Sequence, residues 1–482
     1  MKNKILLFIL LLTLVTRLYH IAFPIAGWHS WRQSDTAAIA RNFATENYNI
    51  FYPKIDWRGN TAGFVESEFQ LYTYTIASLY KLFGIHEMFG RLLSVFCSIG
   101  TVLGIFLLVK KIVNEQTALW SSFFYAILPL SIFYGRAFMP EQMMLMFSVF
   151  GIYFFSKWLD TQKFLFFLFS VISISLAALL KLPALYLGLP LLFLCWNKYQ
   201  KALFTRPLIW IFALFVFASV GLWYYHSHQL KAMTGLSFGI WDVGVDKWGN
   251  MELLTSFKFY NDVFFKSVAE RHFTYAAFIP FVAGFFVKRN SKQEFLFDFW
   301  FIAIIIYILI VAKGNNVHEY YQLPLMIPGV IFLGKTFAVY FQSHIELTSK
   351  KKNIKYFLGF CLLLTLVLST MRLQNLFDGK RAAAPLFQLA GAVKETTTPS
   401  DLIITVSEGN PVVLYNCERK GWTCSPMQID SFYLKQKKNE GATYLVAEKE
   451  VFVRNGLLRQ IDYLTKYFTV IRNEEHYIIV KL

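Results

Sequence analysis

The sequence predicts an all-α membrane protein that crosses the bilayer many times and ends in a small α/β domain. Three observations predict this class. Hydrophobic residues make up 56% of the 482 residues and charged residues only 16%, whereas soluble proteins are nearer a quarter charged. The apolar residues fall in runs of about 17–25, the length needed to cross ~30 Å of hydrocarbon. Residues 372–482 instead alternate short β-rich and helical stretches.

The apolar runs predict about eleven transmembrane helices. The first run has no small-x-small cleavage site, so we expect a retained helix rather than a signal peptide. Around Lys181, one kinked helix is the alternative to two spans, but it would move the later basic loops to the other side. The runs lie at about 5–26, 90–109, 117–135, 140–158, 163–180, 182–196, 207–225, 273–287, 296–312, 321–341 and 354–371.

The basic residues predict the orientation. The net charge of +17 lies mostly in short loops between apolar runs, the positive-inside pattern, so nucleic-acid binding is not indicated. We expect a multi-pass protein of the cell (inner or plasma) membrane with a cytoplasmic N-terminus. Residues 1–371 would form the transmembrane catalytic domain, with outside loops at 27–89 and 226–272. Residues 372–482 would form an extracytoplasmic α/β domain.

The C-terminal region has its own pattern. LIITVS and ATYLVAE read as strands, QIDSFYLKQKK and RNGLLRQIDYLTKY as helices, and the last fifteen residues as a closing hairpin. Cys417 and Cys424 fit either a disulfide or two free thiols. The sequence contains no Walker A motif, no GxGxxG after a strand, no HExxH and no CxxC. No nucleotide or metal cofactor is therefore predicted, and a divalent metal is the alternative.

The first outside loop carries the best candidate for catalysis. Asp35 lies one helical turn after Arg32 in WRQSDTAAIARNF, and a carboxylate at the membrane surface can act as general base for an acceptor hydroxyl. We expect a helix over 35–47 capped by Ser34 or Asp35, and an interfacial helix over 69–84. The helix N-terminus and Arg32 should keep Asp35 ionised. The alternative role for Asp35 is a helix cap with a surface ion pair.

Other acids surround this candidate. Glu66 and Glu68 are two residues apart, so in an extended segment they would point opposite ways and one would face the site. We take Glu68 as the second catalytic candidate and Glu66 as a substrate-binding one. Glu141 follows Pro140 at a predicted helix start, where a helix cap and a substrate contact are equally good explanations.

Several cations lie near predicted outer helix ends, against the positive-inside tendency. A phosphate that enters a low-dielectric cavity needs such charges, and the alternative is anchoring at the membrane interface. The segment HEYYQLPLMIP adds His318, Glu319 and Tyr321 as donors to a phosphate or sugar; its tyrosines also fit an aromatic belt. The unusual cations are Arg17, Arg136, Lys181 and Lys313.

The ordered motifs resemble a known family. WRQSDTAAIARNF, ESEFQLYTY, GRAFMPE, KLPALYLGLPLL and HEYYQLPLMIP follow one another over residues 1–340. This order is similar to the GT-C glycosyltransferases of the protein O-mannosyltransferase and lipid A aminoarabinose transferase type (families 39 and 83). The resemblance implies inverting transfer of a sugar from a polyprenyl-phosphate carrier to an extracytoplasmic hydroxyl. It puts Asp35 at the catalytic aspartate and Arg136, Lys181 and Tyr321 near the carrier phosphate.

The sequence departs from that family at two places. Asp35 is followed by Thr36 where O-mannosyltransferases have Asp-Glu, and the acid-x-Pro-Leu pattern is loosened to EFQL at 68–71. A glycolipid, a polysaccharide and a protein are therefore all open as acceptors. A polysaccharide polymerase and a flippase or transporter of lipid-linked sugars are the alternative functions. A transporter would favour broken helices or two similar halves, and the sequence shows no repeat.

Overall fold

The computed structural model describes residues 2–239, 247–341, 349–377 and 380–482. Part of the predicted second outside loop, 240–246, lies outside the described residues. Most of the rest is helical. The α-helices are α1 (Lys2–Leu18), α2 (Ser30–Thr45), α3 (Leu71–Phe83), α4 (Met88–Ile112), α5 (Glu115–Ile127), α6 (Pro129–Tyr134), α7 (Glu141–Thr161), α8 (Phe164–Leu180), α9 (Gly188–Tyr199), α10 (Pro207–Thr234), α11 (Met251–Thr255), α12 (Phe257–Tyr260), α13 (Phe278–Phe285), α14 (Leu296–Ile310), α15 (Ala312–Val317), α16 (Met326–Tyr340), α17 (Ser349–Phe377), α18 (Lys380–Thr396), α19 (Val412–Cys417), α20 (Ser431–Asn439), α21 (Lys449–Arg454) and α22 (Arg459–Tyr467).

Shorter helical turns and five strands complete the fold of the described residues. The 3-10 helices are Leu182–Leu187, Gln200–Thr205, Lys292–Phe295, Glu319–Leu325 and Pro426–Gln428, and a π-helix covers Asn261–His272. The strands are β1 (Leu402–Val406), β2 (Lys420–Cys424), β3 (Ala442–Glu448), β4 (Thr469–Asn473) and β5 (Tyr477–Lys481).

The chain is a multi-pass membrane protein, although the predicted count of eleven spans is not confirmed. Within the described ranges, six helical segments are long and apolar enough to cross a bilayer, and α8 is a shorter apolar helix. The predicted run 117–135 breaks at Pro129 into α5 and α6, and the run 182–196 begins as a 3-10 helix. The six segments are Met88–Ile112, Glu141–Thr161, Pro207–Thr234, Lys292–Ile310, Glu319–Tyr340 and Lys351–Phe377.

The residues form two compact units. The first contains Met1–Ile21, Arg91–Tyr225 and Gly239–Asn375, and the second contains Ala22–Gly90, His226–Phe238 and Leu376–Leu482. The first outside loop and the C-terminal residues, which are far apart in the sequence, therefore belong to the same unit.

Close helix packing and a buried arginine organise the first unit. Gly334 of α16 lies against the backbone of α5, where an added Cβ would come within 2.7 Å of the Ser121 nitrogen. The break at Pro129 leaves carbonyls at the end of α5 without helical partners. Arg17 is fully buried and donates to the carbonyls of Tyr125 (3.1 Å) and Ala126 (3.1 Å). Arg17, predicted as a cation near the outer surface, thus caps a helix end.

The second unit contains a mixed sheet of order β2-β1-β3-β5-β4. β2, β1 and β3 are parallel, and β5 pairs antiparallel with β3 and β4. The predicted strands, helices and closing hairpin are all present. The sequence analysis missed β2, because KGWTC is short and contains a glycine that weakens the strand pattern.

The disulfide alternative for Cys417 and Cys424 is wrong, since both are buried free thiols. Cys417 ends α19 and packs with Ile403, Val446 and Ile479 on one face of the sheet. Cys424 ends β2 and belongs to the core on the opposite face. The sheet therefore separates the two sulfur atoms.

Candidate active site

Asp35 lies inside α2, not at its start. The helix begins at Ser30, after His29 in a left-handed conformation with φ 51°. Neither Ser34 nor Asp35 caps it, contrary to the expectation from the sequence. Every residue from Gln33 to Ala40 is buried, so α2 is packed on all sides over this stretch. Asp35 is 2% exposed and sits on a rigid helix.

One hydrogen bond orients the Asp35 carboxylate. Trp57 Nε1 donates to Asp35 Oδ1 over 2.9 Å. Burial raises the pKa of Asp35 to about 7, the Trp57 hydrogen bond and the charge of Arg32 oppose this rise, and the charges of Asp56 and Glu68 add to it. The sequence led us to expect that Arg32 and the helix start would keep Asp35 ionised, but desolvation outweighs the charge of Arg32.

Arg32 and Glu68 form an ion pair beside Asp35. The Arg32 guanidinium also lies over the ring of Phe238, 5.0 Å from its centroid, a cation–π contact. Glu68, the second predicted catalytic acid, thus has a cation bound to it. The pair places the positive charge of Arg32, on the same helix, and the negative charge of Glu68 near Asp35.

Glu66 makes different contacts from Glu68. It is fully buried and accepts hydrogen bonds from Ser237 Oγ at 2.6 Å and from His228 Nδ1 at 3.1 Å. Lys231 Nζ lies 4.0 Å away. The two acids therefore have separate partners, as their spacing predicted, and Glu66 joins the first loop to the end of α10 and the residues after it.

In the first unit, two arginines converge on one backbone oxygen. Arg136 Nη2 donates to the His20 carbonyl at 2.8 Å and Arg91 Nη1 donates to the same oxygen at 3.1 Å. Both arginines are buried. Two guanidinium groups close together in a region of low dielectric make a strongly positive locus. Sequence analysis named Arg136 and missed Arg91.

Three more predicted residues of the first unit, Glu141, Lys181 and Glu319, have polar partners. Lys181 Nζ lies 2.9 Å from Oε1 of the buried Glu141. Glu319 accepts a hydrogen bond from Tyr134 Oη at 3.0 Å, and Arg271 Nη1 lies 3.5 Å from its other oxygen. Glu141 and Lys181 are thus brought together, and Glu319 is paired with residues that the sequence analysis did not single out.

The rings of His318 and Tyr321 stack on one another. Their ring centroids are 6.0 Å apart and nearly parallel, and the Tyr321 carbonyl accepts a hydrogen bond from Tyr307 Oη at 3.0 Å. In the part of the chain that the structure describes, no group of three or more His, Cys, Asp or Glu side chains could hold a metal ion.

The signals for the missed residues were present in the sequence but weak. Arg91 is a basic residue at the start of an apolar run on the predicted outer side, the same anomaly that identified Arg136. Trp57 is 22 residues from Asp35, and no periodicity connects a loop residue with a helix over that separation.

One family of known proteins matches part of the sequence. The family is described as dolichyl-phosphate-mannose-protein mannosyltransferase, and it matches residues 70–225. No curated protein matches the chain.

Solved structures match nearly the whole fold. ArnT from Cupriavidus metallidurans, bound to undecaprenyl phosphate, is 10% identical, with a TM-score of 0.70 over 98% of this chain and 97% of that one. An oligosaccharyltransferase from Archaeoglobus fulgidus in the apo form is 12% identical, with a TM-score of 0.67 over 97% of this chain and 73% of that one. The archaeal oligosaccharyltransferase AglB from the same organism, with an inhibitory peptide and a dolichol-phosphate, is 11% identical, with a TM-score of 0.62 over 97% and 72%.

These matches confirm the resemblance that the ordered motifs predicted. The fold is that of ArnT and of the archaeal oligosaccharyltransferase, and the family match covers residues 70–225, about a third of the chain. The prediction of a membrane protein with this fold is confirmed.

Proposed function

We propose that this chain, a membrane glycosyltransferase with the fold of ArnT and AglB, transfers a sugar from a polyprenyl-phosphate carrier to an acceptor hydroxyl. The single observation that carries the proposal is the state of Asp35, a buried carboxylate with one oxygen bound by Trp57 and a pKa of about 7. A general base works best when its pKa lies near the operating pH. The carriers seen with ArnT and AglB support a polyprenyl phosphate as the donor lipid.

In the proposed reaction, the acceptor oxygen attacks the anomeric carbon of the donor sugar. The bond between that carbon and the phosphate oxygen breaks, and the polyprenyl phosphate leaves with the electron pair. Asp35 takes the proton of the acceptor hydroxyl, which it would receive on Oδ2 because Trp57 occupies Oδ1. A single displacement of this kind inverts the anomeric configuration.

Cations are needed for the charge that develops on the leaving phosphate. We assign this role to Arg91 and Arg136, whose guanidinium groups share the His20 carbonyl in the first unit. Lys181 is the next candidate, and its contact with Glu141 would hold its ammonium in place. Arginine binds phosphate oxygens in a bidentate manner, which suits a headgroup that must be held in one orientation.

Metal chemistry is not needed for this mechanism. An oligosaccharyltransferase of the same fold has been solved with Zn and sulfate, but the described residues hold no cluster of three ligand side chains for a metal here. We propose that the reaction takes place at the extracytoplasmic face of the membrane and that the N-terminus of the chain lies in the cytoplasm.

The test is turnover of a panel of polyprenyl-phosphate monosaccharides by the purified protein in lipid, with cell-envelope extract as acceptor. Wild type is compared with Asp35→Asn and with Glu68→Gln, a variant that neutralises another acid of the same loop. Loss of the base should reduce transfer by about 10²–10⁴-fold. Equal transfer by Asp35→Asn and wild type would overturn the proposal. Movement of intact donor across the vesicle without sugar transfer would favour the transporter.

A further inference from the structure

Asp56 is a buried carboxylate that the proposed mechanism does not use. It is 1% exposed and lies in the first loop, where Arg41 of α2 and Lys420 of β2 both bind its carboxylate. Asn42 Nδ2 donates to it over 3.0 Å. Burial opposes ionisation, yet Arg41 and Lys420 hold the pKa of Asp56 below its ordinary value. A carboxylate with this many buried partners joins three segments rigidly.

The backbone beside Asp56 extends the same connection. The Gly421 nitrogen donates to the Asp56 carbonyl over 3.2 Å, and the Gly59 nitrogen donates to the Gly421 carbonyl over 2.7 Å. β2 is an edge strand, so residues 56–59 pair with an edge that would otherwise be open. Gly421 has φ 147°, and a Cβ there would collide with the Ile403 carbonyl. Glycine is therefore required where the first loop meets the sheet.

Trp57 follows Asp56 directly and extends the connection to the base. Its indole packs against the core on one face of the C-terminal sheet and against the small core of the first loop. Phe238 meets it edge to face at 6.0 Å. Trp57 Nε1 then donates to Asp35. A continuous path of contacts thus runs from Lys420 and Gly421 through Asp56 and Trp57 to Asp35.

We infer that the C-terminal α/β part of the chain, residues 380–482, positions the Asp35 carboxylate through Asp56 and Trp57. The inference rests on the proposed role of Asp35 as general base. A base must be held within about 0.5 Å of its productive geometry by side chains that are themselves fixed by packing. The sheet supplies that rigidity here, because β2 anchors residue 56 and the sheet core holds the indole of residue 57. Trp57 and Lys420 are accordingly positioning residues.

Three variants of the full-length protein test the inference. Trp57→Phe keeps the packing and removes the hydrogen bond. Lys420→Met removes the connection between β2 and Asp56. Lys394→Met is the matched control, because Lys394 lies in the same part of the chain and forms an exposed ion pair with Glu418. Each is assayed for kcat and KM across pH, and its folding is checked by thermal unfolding.

Trp57→Phe should reduce kcat about 10–100-fold, since a small misplacement of a catalytic group is costly. The acidic limb of its pH profile should move up by roughly one unit, because a hydrogen bond to the ionised carboxylate is lost. The groups facing that carboxylate are Arg32, Asp56 and Glu68, and none of them changes. Lys420→Met should lower kcat with little change in KM, Lys420→Arg should restore it, and Lys394→Met should match the wild type.

The outcomes separate the two proposals. Full activity of Asp35→Asn would overturn the function itself. An inactive Asp35→Asn, together with Trp57→Phe and Lys420→Met that keep wild-type kcat and an unmoved acidic limb, would overturn the positioning role alone. If Lys420→Met does not fold, the pH profile of Trp57→Phe decides.

Discussion

Arg32 forms an ion pair with Glu68, 36 residues further along the chain. The pairing of Arg32 with Glu68 affects the pKa of Asp35, which lies one helical turn after Arg32. A cation whose charge is balanced by Glu68 lowers the pKa of Asp35 less than an uncompensated one would, and the negative charge of Glu68 raises it. Burial then raises the pKa of Asp35 to about 7. The pKa of Asp35, the proposed base, therefore lies near neutral pH.

The first prediction concerns the pH dependence of activity. A general base must be deprotonated, so kcat/KM should rise with pH along an acidic limb with a midpoint near 7. Removing the counter-charge in Glu68→Gln should shift that midpoint downward, because one negative neighbour is lost. Initial rates between pH 5 and 9 measure both midpoints. A wild-type limb centred near pH 4 would contradict the burial of an active Asp35.

The second prediction concerns the pH dependence of stability. The contribution of Asp35 to stability falls as pH rises, whereas activity should rise with pH. The folded chain binds the Asp35 proton more tightly than the unfolded chain, so the stability that protonation contributes is lost as pH rises from about 4 to about 7. Asp35→Asn avoids this loss and should raise the unfolding temperature at pH 8. The limiting gain in free energy is roughly 4 kcal/mol, and it should shrink towards pH 4.

Asp56→Asn is the matched control for that measurement. The pKa of Asp56 is lowered by Arg41 and Lys420 despite its burial. Ionised Asp56 therefore stabilises the fold at pH values above the ordinary aspartate pKa, and this contribution is lost as the pH falls. Asp56→Asn should therefore lower the unfolding temperature at pH 8, while Asp35→Asn raises it. The same sign for both variants would contradict the assigned environments.

The third prediction concerns donor binding. Arg91→Gln and Arg136→Gln should each raise the KM for the lipid-linked donor by about 10–100-fold, since a charge-assisted hydrogen bond to phosphate contributes roughly 1.5–3 kcal/mol. Arg206→Gln removes an exposed arginine that packs on Tyr199, and it should leave the donor KM unchanged. Similar KM values for all three variants would exclude the arginine pair from phosphate binding.

The sequence predicted the membrane class, the family resemblance and four of the five described C-terminal strands, because hydrophobic run length and strand alternation are local properties. It also placed Asp35 in the first loop and predicted that the side chains of Glu66 and Glu68 point in opposite directions. The separate partners of the two acids agree with that prediction. These predictions needed no knowledge of distant contacts.

Properties that depend on distant contacts were not predictable. Trp57 lies 22 residues from Asp35, and Lys420 comes to Asp56 from the C-terminal sheet; the burial that sets the pKa of Asp35 exists only in the folded chain. The helix α2 begins at Ser30 and not at residue 35 as predicted, directly after His29 in a left-handed conformation. Pro129 indicates the helix break from the sequence alone. Arg17, which caps the helix end at this break, was instead predicted to bind a phosphate.

The fourth prediction concerns the cysteines. Cys417 and Cys424 are buried thiols on opposite faces of the sheet, and burial raises the pKa of each to about 12. Both should resist alkylation in the folded protein at pH 8. All five thiols should react after denaturation without reductant. Recovery of only three would indicate a disulfide, and the Cys417→Ser variant would identify its members.

The last prediction concerns Arg17. Its guanidinium is fully buried and spans the carbonyls of Tyr125, Ala126 and Ser131, with Ser98 Oγ bound to Nε. Lysine has a single ammonium and cannot reproduce this planar set of donors. Arg17→Lys and Arg17→Met should both lower the unfolding temperature by several degrees, because each buried carbonyl left without a donor costs about 1–3 kcal/mol.

The donor KM separates this structural role from phosphate binding. If the Arg17→Lys variant is folded at the assay temperature, its KM for the lipid-linked donor should stay near the wild-type value, unlike that of Arg136→Gln. A large rise in KM with an unchanged unfolding temperature would return Arg17 to the phosphate-binding cations. The contacts argue against that outcome, since the donors of Arg17 are directed at the carbonyls where α5 ends and α6 begins.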